Sequence, residues 1–326
     1  MINQHSDVNG TAKILEDESL LEFIVTVENA MTPSAKFSDI VLPETTGFEM
    51  ETIMTGEGHS EKGNHAWVLF SHKVIEPYFE SKEGYWIAEQ IADRLGIGDA
   101  FREGHATKED WLRDMVASAQ ENYEDFPSLE EFREVGIYKV ASGKPSVSMA
   151  AFIEDPVANP LKTPTGKIEI YSPTLAGYNE PEEIPAIPKY IPEWEGVSDP
   201  LRETYPILML GHHAVQRSHS TFDNVDYLKE AHPQAFWMNP IDAGKRGIKN
   251  GDMVRVFNDR GEVHLPAFVT NRVRPGAASM PQGAWYTPDA NGVDTRGCVN
   301  VLTKYHPSPL AKGNPQHTNL VQVTKI

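Results

Sequence analysis

The densest run of polar side chains in the chain is Gly211-His212-His213-Ala214-Val215-Gln216-Arg217-Ser218-His219-Ser220-Thr221. It directly follows the apolar run Pro206-Ile207-Leu208-Met209-Leu210, which reads as a strand. A loop at the end of a strand is where a rigid scaffold holds binding groups. These residue types suit an anion. Glycine at 211 lets backbone approach closely, Arg217 offers a planar fork for phosphate, and Ser220 and Thr221 supply hydroxyl donors. A zinc site built from His212, His213 and His219 is the rival reading. Neither an HExxH pair nor a short His-x-His pair with a nearby carboxylate accompanies them. An ordinary polar surface loop is the third reading.

A second cluster lies at Gly297-Cys298-Val299-Asn300-Val301-Leu302-Thr303 and Lys312-Gly313-Asn314-Pro315-Gln316-His317-Thr318-Asn319. Amides present paired donor and acceptor atoms that match the edge of a heterocycle. Gly-Asn-Pro is also a good turn in its own right. A third stretch, Gln282 to Asp289, holds the adjacent Trp285 and Tyr286, either pocket-lining or ordinary core aromatics. Cys298 is the single cysteine and is most simply a small buried apolar residue. One cysteine excludes an internal disulfide, a cysteine-ligated iron–sulfur cluster and a four-cysteine zinc site within this chain. With no recognisable Ser-His-Asp order or glycine-rich phosphate loop, the residues imply a cleft for an anion or heterocycle. They assign no catalytic residue and no metal ligand.

The elements that must position these groups fall into two textures. Leu21 to Val27 (LEFIVTV) predicts a buried strand, Thr32-Pro33 a short helix through Lys36, and Ile40 to Pro43 a second strand. Strand, helix, strand is a fragment of a parallel, Rossmann-like α/β layer. Ile87, Ile91 and Leu95 recur at helical spacing before Gly96, Thr107-Lys108-Glu109-Asp110 starts a helix, and Ser128-Leu129-Glu130-Glu131 has capping-box spacing closed by Gly136. Thr163-Pro164-Thr165-Gly166 predicts a turn, followed by an alternating stretch with Ile168 and Ile170 on one side. Five prolines between residues 181 and 200 predict an extended connection. From Tyr205 onward, short strands at 206–210, 253–257 and 262–270 joined by tight turns predict a small β-barrel. The expected division is a partial α/β domain at 1–150, a proline-rich connection at 151–204 and a barrel domain at 205–326.

The chain has 326 residues and a formal net charge of −18. That sign argues against nucleic-acid binding and against docking on anionic lipid. No segment approaches the roughly 18 apolar residues of a membrane-spanning helix, and the first residues carry no recognisable signal peptide.

Several ordered stretches resemble the C-terminal part of the catalytic subunit of dimethyl sulfoxide reductases, in the molybdopterin oxidoreductase family. They are Asn3-Gln4-His5-Ser6-Asp7, the run Met31 to Pro43, Thr163 to Ser172, Arg217-Ser218-His219-Ser220-Thr221, Asn258-Asp259-Arg260-Gly261-Glu262-Val263, and the run Asn300 to Pro315. The resemblance implies that the β portion is a double-psi-type barrel closing over a molybdenum bis(molybdopterin guanine dinucleotide) cofactor. It implies cofactor contacts from Gly211, His212, His213, Ala214, Arg217, His219, Ser220 and Thr221, and later ones from Asn300, Gln316 and His317. It further implies reduction of S-oxides or N-oxides such as dimethyl sulfoxide by oxygen-atom transfer. An iron–sulfur electron-transfer subunit, a membrane-anchor subunit and a periplasmic or membrane-associated setting come with it. The family's 4Fe-4S cysteines and molybdenum ligand lie in an N-terminal part that this chain lacks, so the expectation is a C-terminal fragment, inactive alone. Two departures are visible: Gly84 stands where relatives often carry an acidic residue before the aromatic, and Glu28 where they often carry aspartate. Outside the resemblance, two alternatives are a non-catalytic module for a nucleotide-like ligand and a zinc hydrolase using the histidine-rich loop.

Overall fold

The computed structural model describes residues 2–55, 67–139, 147–313 and 319–326. The backbone divides into two compact units. One holds residues 25–30 and 41–168, the other residues 1–24, 31–40 and 169–326.

Strands β1 (Val25–Glu28) and β2 (Ile40–Pro43) pair as a two-stranded sheet, joined through a single 3-10 turn at Ala35–Phe37. The bonds from Asp39 N to Ile24 O and from Glu44 N to Glu28 O advance together along both chains, so the strands run parallel, as expected. The expected burial is not found. Val25 and Val27 are 44% and 38% exposed, because nothing among the described residues covers that face of the sheet.

The unit containing residues 41–168 is built on an antiparallel meander of β3 (Thr52–Thr55), β4 (Trp67–Ser71) and β5 (Ile137–Lys139), which sequence reading missed. Ile53 stands opposite Phe70, and Leu69 opposite Ile137. The helices at Lys108–Asn122 and Leu129–Val135 lay Leu112, Val116, Leu129 and Phe132 against Ile53 and Phe70, forming this unit's apolar core. Both expected starts are capping boxes, Thr107 with Asp110 and Ser128 with Glu131, and Gly136 ends the second helix at φ +72°. Such caps satisfy backbone N–H groups that a helix start otherwise leaves unpaired. The helix expected around Ile87 spans Gly84–Arg94.

The turn at Thr163–Gly166 forms, with Gly166 N donating to Thr163 O. The alternating stretch after it does not become a strand. Ile168 and Ile170 are each 73% exposed, and among the described residues no neighbouring strand supplies a ladder.

In the second unit six strands close a barrel: β6 (Ile207–His212), β7 (Phe236–Met238), β8 (Met253–Phe257), β9 (Glu262–Val269), β10 (Ala277–Pro281) and β11 (Asn319–Lys325). Their order around the barrel is β10-β6-β11-β8-β9-β7. The pairs β6–β10 and β7–β9 are parallel, and the others antiparallel. Alternate residues point inward, as closure requires. Ile207 and Met209, Val254 and Val256, Val263 and Leu265, and Val321 and Val323 fill the interior. The helix Val8–Leu15 adds Val8 and Ala12 to this core, and Asn9 Nδ2 donates to Arg260 O at 3.1 Å. The proline-rich stretch between residues 181 and 200 carries turns at 181–183 and 194–195 and is not merely a spacer. Glu195 is 3% exposed, grips the Arg260 guanidinium with both oxygens (2.7 and 2.8 Å) and accepts from Leu320 N.

Candidate functional site

Because β6 and β10 run parallel, both release their chains at the same rim of the barrel. His212 pairs with Pro281 there, and Gln282 N donates to His212 O at 2.8 Å. The two emerging loops then cross. Gly283 has φ +91°, and a β-carbon on it would overlap the His219 carbonyl, so this crossing requires glycine. On the other side of the crossing, the Trp285 indole N–H donates to Ser220 O at 2.8 Å. Ser218 and Thr221 bond each other's backbone, which fixes the turn between them.

His212 Nδ1 lies 2.7 Å from Ser279 Oγ, whose own proton goes to Leu210 O at 3.1 Å. The hydroxyl therefore accepts, so Nδ1 carries the proton and Nε2 is the basic nitrogen of the neutral ring. The imidazole stands edge-on to Trp237 at 4.8 Å. Burial pushes its pKa below the ordinary 6.5, and the positive charge of Arg217 adds to that. Beside it opens a cavity of about 530 Å³. His212, His213, Ala214 and Gln216 form one wall, and Trp237 and Phe268, with ring centroids 4.9 Å apart, form another. His232 and Asn250 complete the polar lining.

The structure therefore brings His212, His213 and Ala214 to one cavity, with Gly211 inside the strand that delivers them. His219 sits next to this wall, its ring 4.9 Å from that of His213 and its Nδ1 3.2 Å from Gln282 Nε2. His219, Ser220 and Thr221 do not line the cavity. Among the described residues, no group of three or more His, Cys, Asp or Glu side chains is arranged to hold a metal ion, which leaves the zinc reading without support.

Arg217 is placed inside the fold. Its side chain is 1% exposed and points inward. Nε donates to Gln282 O (3.0 Å), Nη1 to Asp223 Oδ1 (3.0 Å), and Nη2 to Gln234 Oε1 (2.8 Å) and Pro281 O (3.2 Å). Four of its five N–H groups are engaged by the protein. It ties the β6 loop to the end of β10. Asp223, also 1% exposed at its side chain, holds Arg217, Trp285 N and the Arg296 guanidinium together.

Asn300 is likewise turned to structure. It is 3% exposed, its Nδ2 donates to Asn3 O at 2.8 Å, its Oδ1 accepts from the Thr303 hydroxyl, and it does not line the cavity. Gln316 and His317 lie outside the described residues. Cys298 is buried in the barrel core, and burial raises its thiol pKa. Sequence reading missed Trp237, Phe268, His232 and Asp294. The last is fully buried, and its carboxylate collects the backbone N–H groups of Thr287, Arg296, Gly297 and Cys298, which pins the loop between them. Burial raises its pKa, although those bonds pull the other way.

Comparison with known proteins fits this geometry. Residues 1–94 match the family described as molybdopterin oxidoreductase, and residues 207–320 match the molydopterin dinucleotide binding domain, which covers β6 to β10 and the start of β11. The chain is 49% identical to dimethyl sulfoxide reductase DmsA of Escherichia coli (strain K12), over 100% of this chain and 40% of that protein. It is 35% identical to the dimethyl sulfoxide/trimethylamine N-oxide reductase of Rhodobacter capsulatus, over 98% of this chain and 40% of that protein. The chain thus spans about 40% of the length of the curated relatives it matches. Acetylene hydratase from Pelobacter acetylenicus shares the fold, with a TM-score of 0.72 at 20% identity, covering 99% of this chain and 42% of that one. The barrel with its rim cavity, the two matched family models and relatives aligned along the whole chain lead to one assignment: the chain belongs to the molybdopterin oxidoreductase family.

Proposed function

We propose that this chain is the cofactor-holding C-terminal portion of a molybdenum reductase that removes oxygen from S-oxides or N-oxides. The observation that carries the reading is the cavity at the end of β6, inside the segment matched to a dinucleotide-binding domain. Its lining fits such a group: imidazoles and an amide from His212, His213, His232 and Gln216 beside the flat faces of Trp237 and Phe268. A heterocycle bearing phosphate needs that combination of stacking surface and polar edge. His212, His213 and Ala214 would touch the cofactor directly, with His219, Ser220 and Thr221 behind them and Arg217 holding the loop in place. Asn300 acts from within the fold, and Gln316 and His317 belong to the same proposal. The cofactor, when bound as the bis(guanine dinucleotide) form, supplies the two-electron redox chemistry, and the protein binds and orients it. The barrel is read as the double-psi type and residues 205–326 as its domain. Residues 1–150 are read as a partial Rossmann-like α/β domain, with 151–204 as the connection. A 4Fe-4S cluster in the remaining part of the subunit, an iron–sulfur electron-transfer subunit, a membrane-anchor subunit and a periplasmic or membrane-associated setting complete the proposal.

The test is a chimera in which this chain replaces the matching segment of the Escherichia coli relative. It should retain molybdenum and pterin and reduce dimethyl sulfoxide with an artificial electron donor. The double change His213→Ala, Trp237→Ala should lower pterin content. Unchanged pterin in that variant, with the fold intact, would overturn the assignment of the cavity. The 326-residue chain alone should show no turnover.

A further inference from the structure

We propose a second anion site, for a phosphate-bearing small molecule, on the outer face of β6 and β10. Inward-facing Ile207 and Met209 leave Leu208 and Leu210 pointing out, and these floor a cleft of about 420 Å³. Arg202, Arg272 and Arg274 line it. In a chain of net charge −18, most buried or half-buried arginines have carboxylate partners, as Arg133, Arg217 and Arg260 do. Half-buried Arg202 has none among the described residues, nor have the exposed Arg272, whose guanidinium lies over the Trp237 ring at 5.9 Å, and the exposed Arg274.

Their backbones are held in place. Arg202 lies on a 3-10 turn, Pro200–Glu203, capped by the Asp199 side chain, and its Nη1 donates to Val197 O at 3.2 Å. Its Nη2 stands over Gly276, 3.2 Å from where a β-carbon would be. Arg272 and Arg274 flank Val273, whose carbonyl accepts from the buried Asn239 at 2.6 Å. The nearby carboxylate of Asp242 is engaged by Gly276 N at 2.6 Å. Guanidinium forks on a pinned frame, without internal counter-charge, match the several oxygens of a phosphate or diphosphate better than the two of a carboxylate. The cleft shares no lining residue with the cavity at the β6 rim, but the two adjoin through Arg272 over Trp237 and Ser279 bonded to His212.

Isothermal titration of the 326-residue chain with inorganic pyrophosphate at low ionic strength tests it, with acetate as the control. Saturable one-to-one binding of pyrophosphate but not acetate is expected, weakening as salt is raised. Arg202→Ala and the double change Arg272→Ala, Arg274→Ala should each weaken it by about tenfold or more, and lysine at the same positions should restore part of the loss. Arg272 and Arg274 are exposed, so their variants should keep the wild-type circular dichroism. Absence of saturable binding, equal binding of acetate, or unchanged affinity after all three arginines are replaced by alanine would overturn the proposal. The last result would place the anion elsewhere, including the β6 rim.

Discussion

At the scale of single residues, the rim depends on groups that never face the cavity. Arg217 and Asp223 form a buried ion pair, and burial holds the Arg217 pKa below its ordinary value. Replacing Asp223 by Asn leaves a buried cation without its counter-charge. The expected loss is about 3–5 kcal/mol of stability, read from denaturant unfolding. Arg217→Lys should recover only part of what Arg217→Ala loses, because one ammonium cannot reach the acceptors that a planar fork spans. His212 sets a pH dependence. Its native pKa lies below the 6.5 of a free imidazole, so the unfolded chain binds that proton more tightly. The stability it contributes is complete above pH 6.5 and is lost as pH falls through the native value. Thermal unfolding at pH 7 and pH 5.5 should therefore show a smaller acid loss in His212→Gln than in the parent chain. An equal loss in both would mean that His212 stays solvated.

At the scale of elements, the loop crossing is the most sensitive joint. Gly283→Ala must displace the His219 carbonyl and hold a positive φ, so it should destabilise by more than about 1 kcal/mol. Thr107→Ala removes one side of a capping box and should cost about 1 kcal/mol, with the barrel unaffected. Elements marked by local chemistry were legible in the sequence. Ser128 with Glu131 and Gly136, and the turn between β8 and β9, each satisfy their own backbone nearby, and each formed where expected. The helix at Val8–Leu15 was not legible, because Gly10 and Thr11 weaken its propensity and its anchors, Arg260 and Tyr286, are far away in the chain. The same limit governs the site. The loop after Leu210 announced itself by composition, but Trp237 and Phe268 become its wall only through the parallel pairing of β7 with β9. Residue type says what the Arg217 side chain can bind, while its partners at Gln282 and Pro281 are set by the fold.

At the scale of the molecule, apolar surface is distributed unevenly. The barrel core buries its apolar side chains, while Phe23, Val25 and Val27 on and beside β1 are exposed. Parallel strands normally have both faces covered. In this chain alone, Val25→Thr together with Val27→Thr should shift stability by no more than about 0.5 kcal/mol, since neither side chain leaves a packed site. In the chimera with the Escherichia coli relative, the same pair should cost clearly more if other parts of that subunit cover the sheet. Comparing the two unfolding curves measures the difference.

The placement of β11 between β6 and β8 has a consequence for how the barrel comes into being. On the ribosome, β6 and β8 emerge well before residues 319–325, and each waits with a row of unpaired backbone donors and acceptors. Closure therefore waits until residues 319–325 have emerged. A stop codon just before Asn319 would leave a nascent chain with two open sheet edges, a species destined for aggregation or proteolysis rather than a slightly shortened barrel.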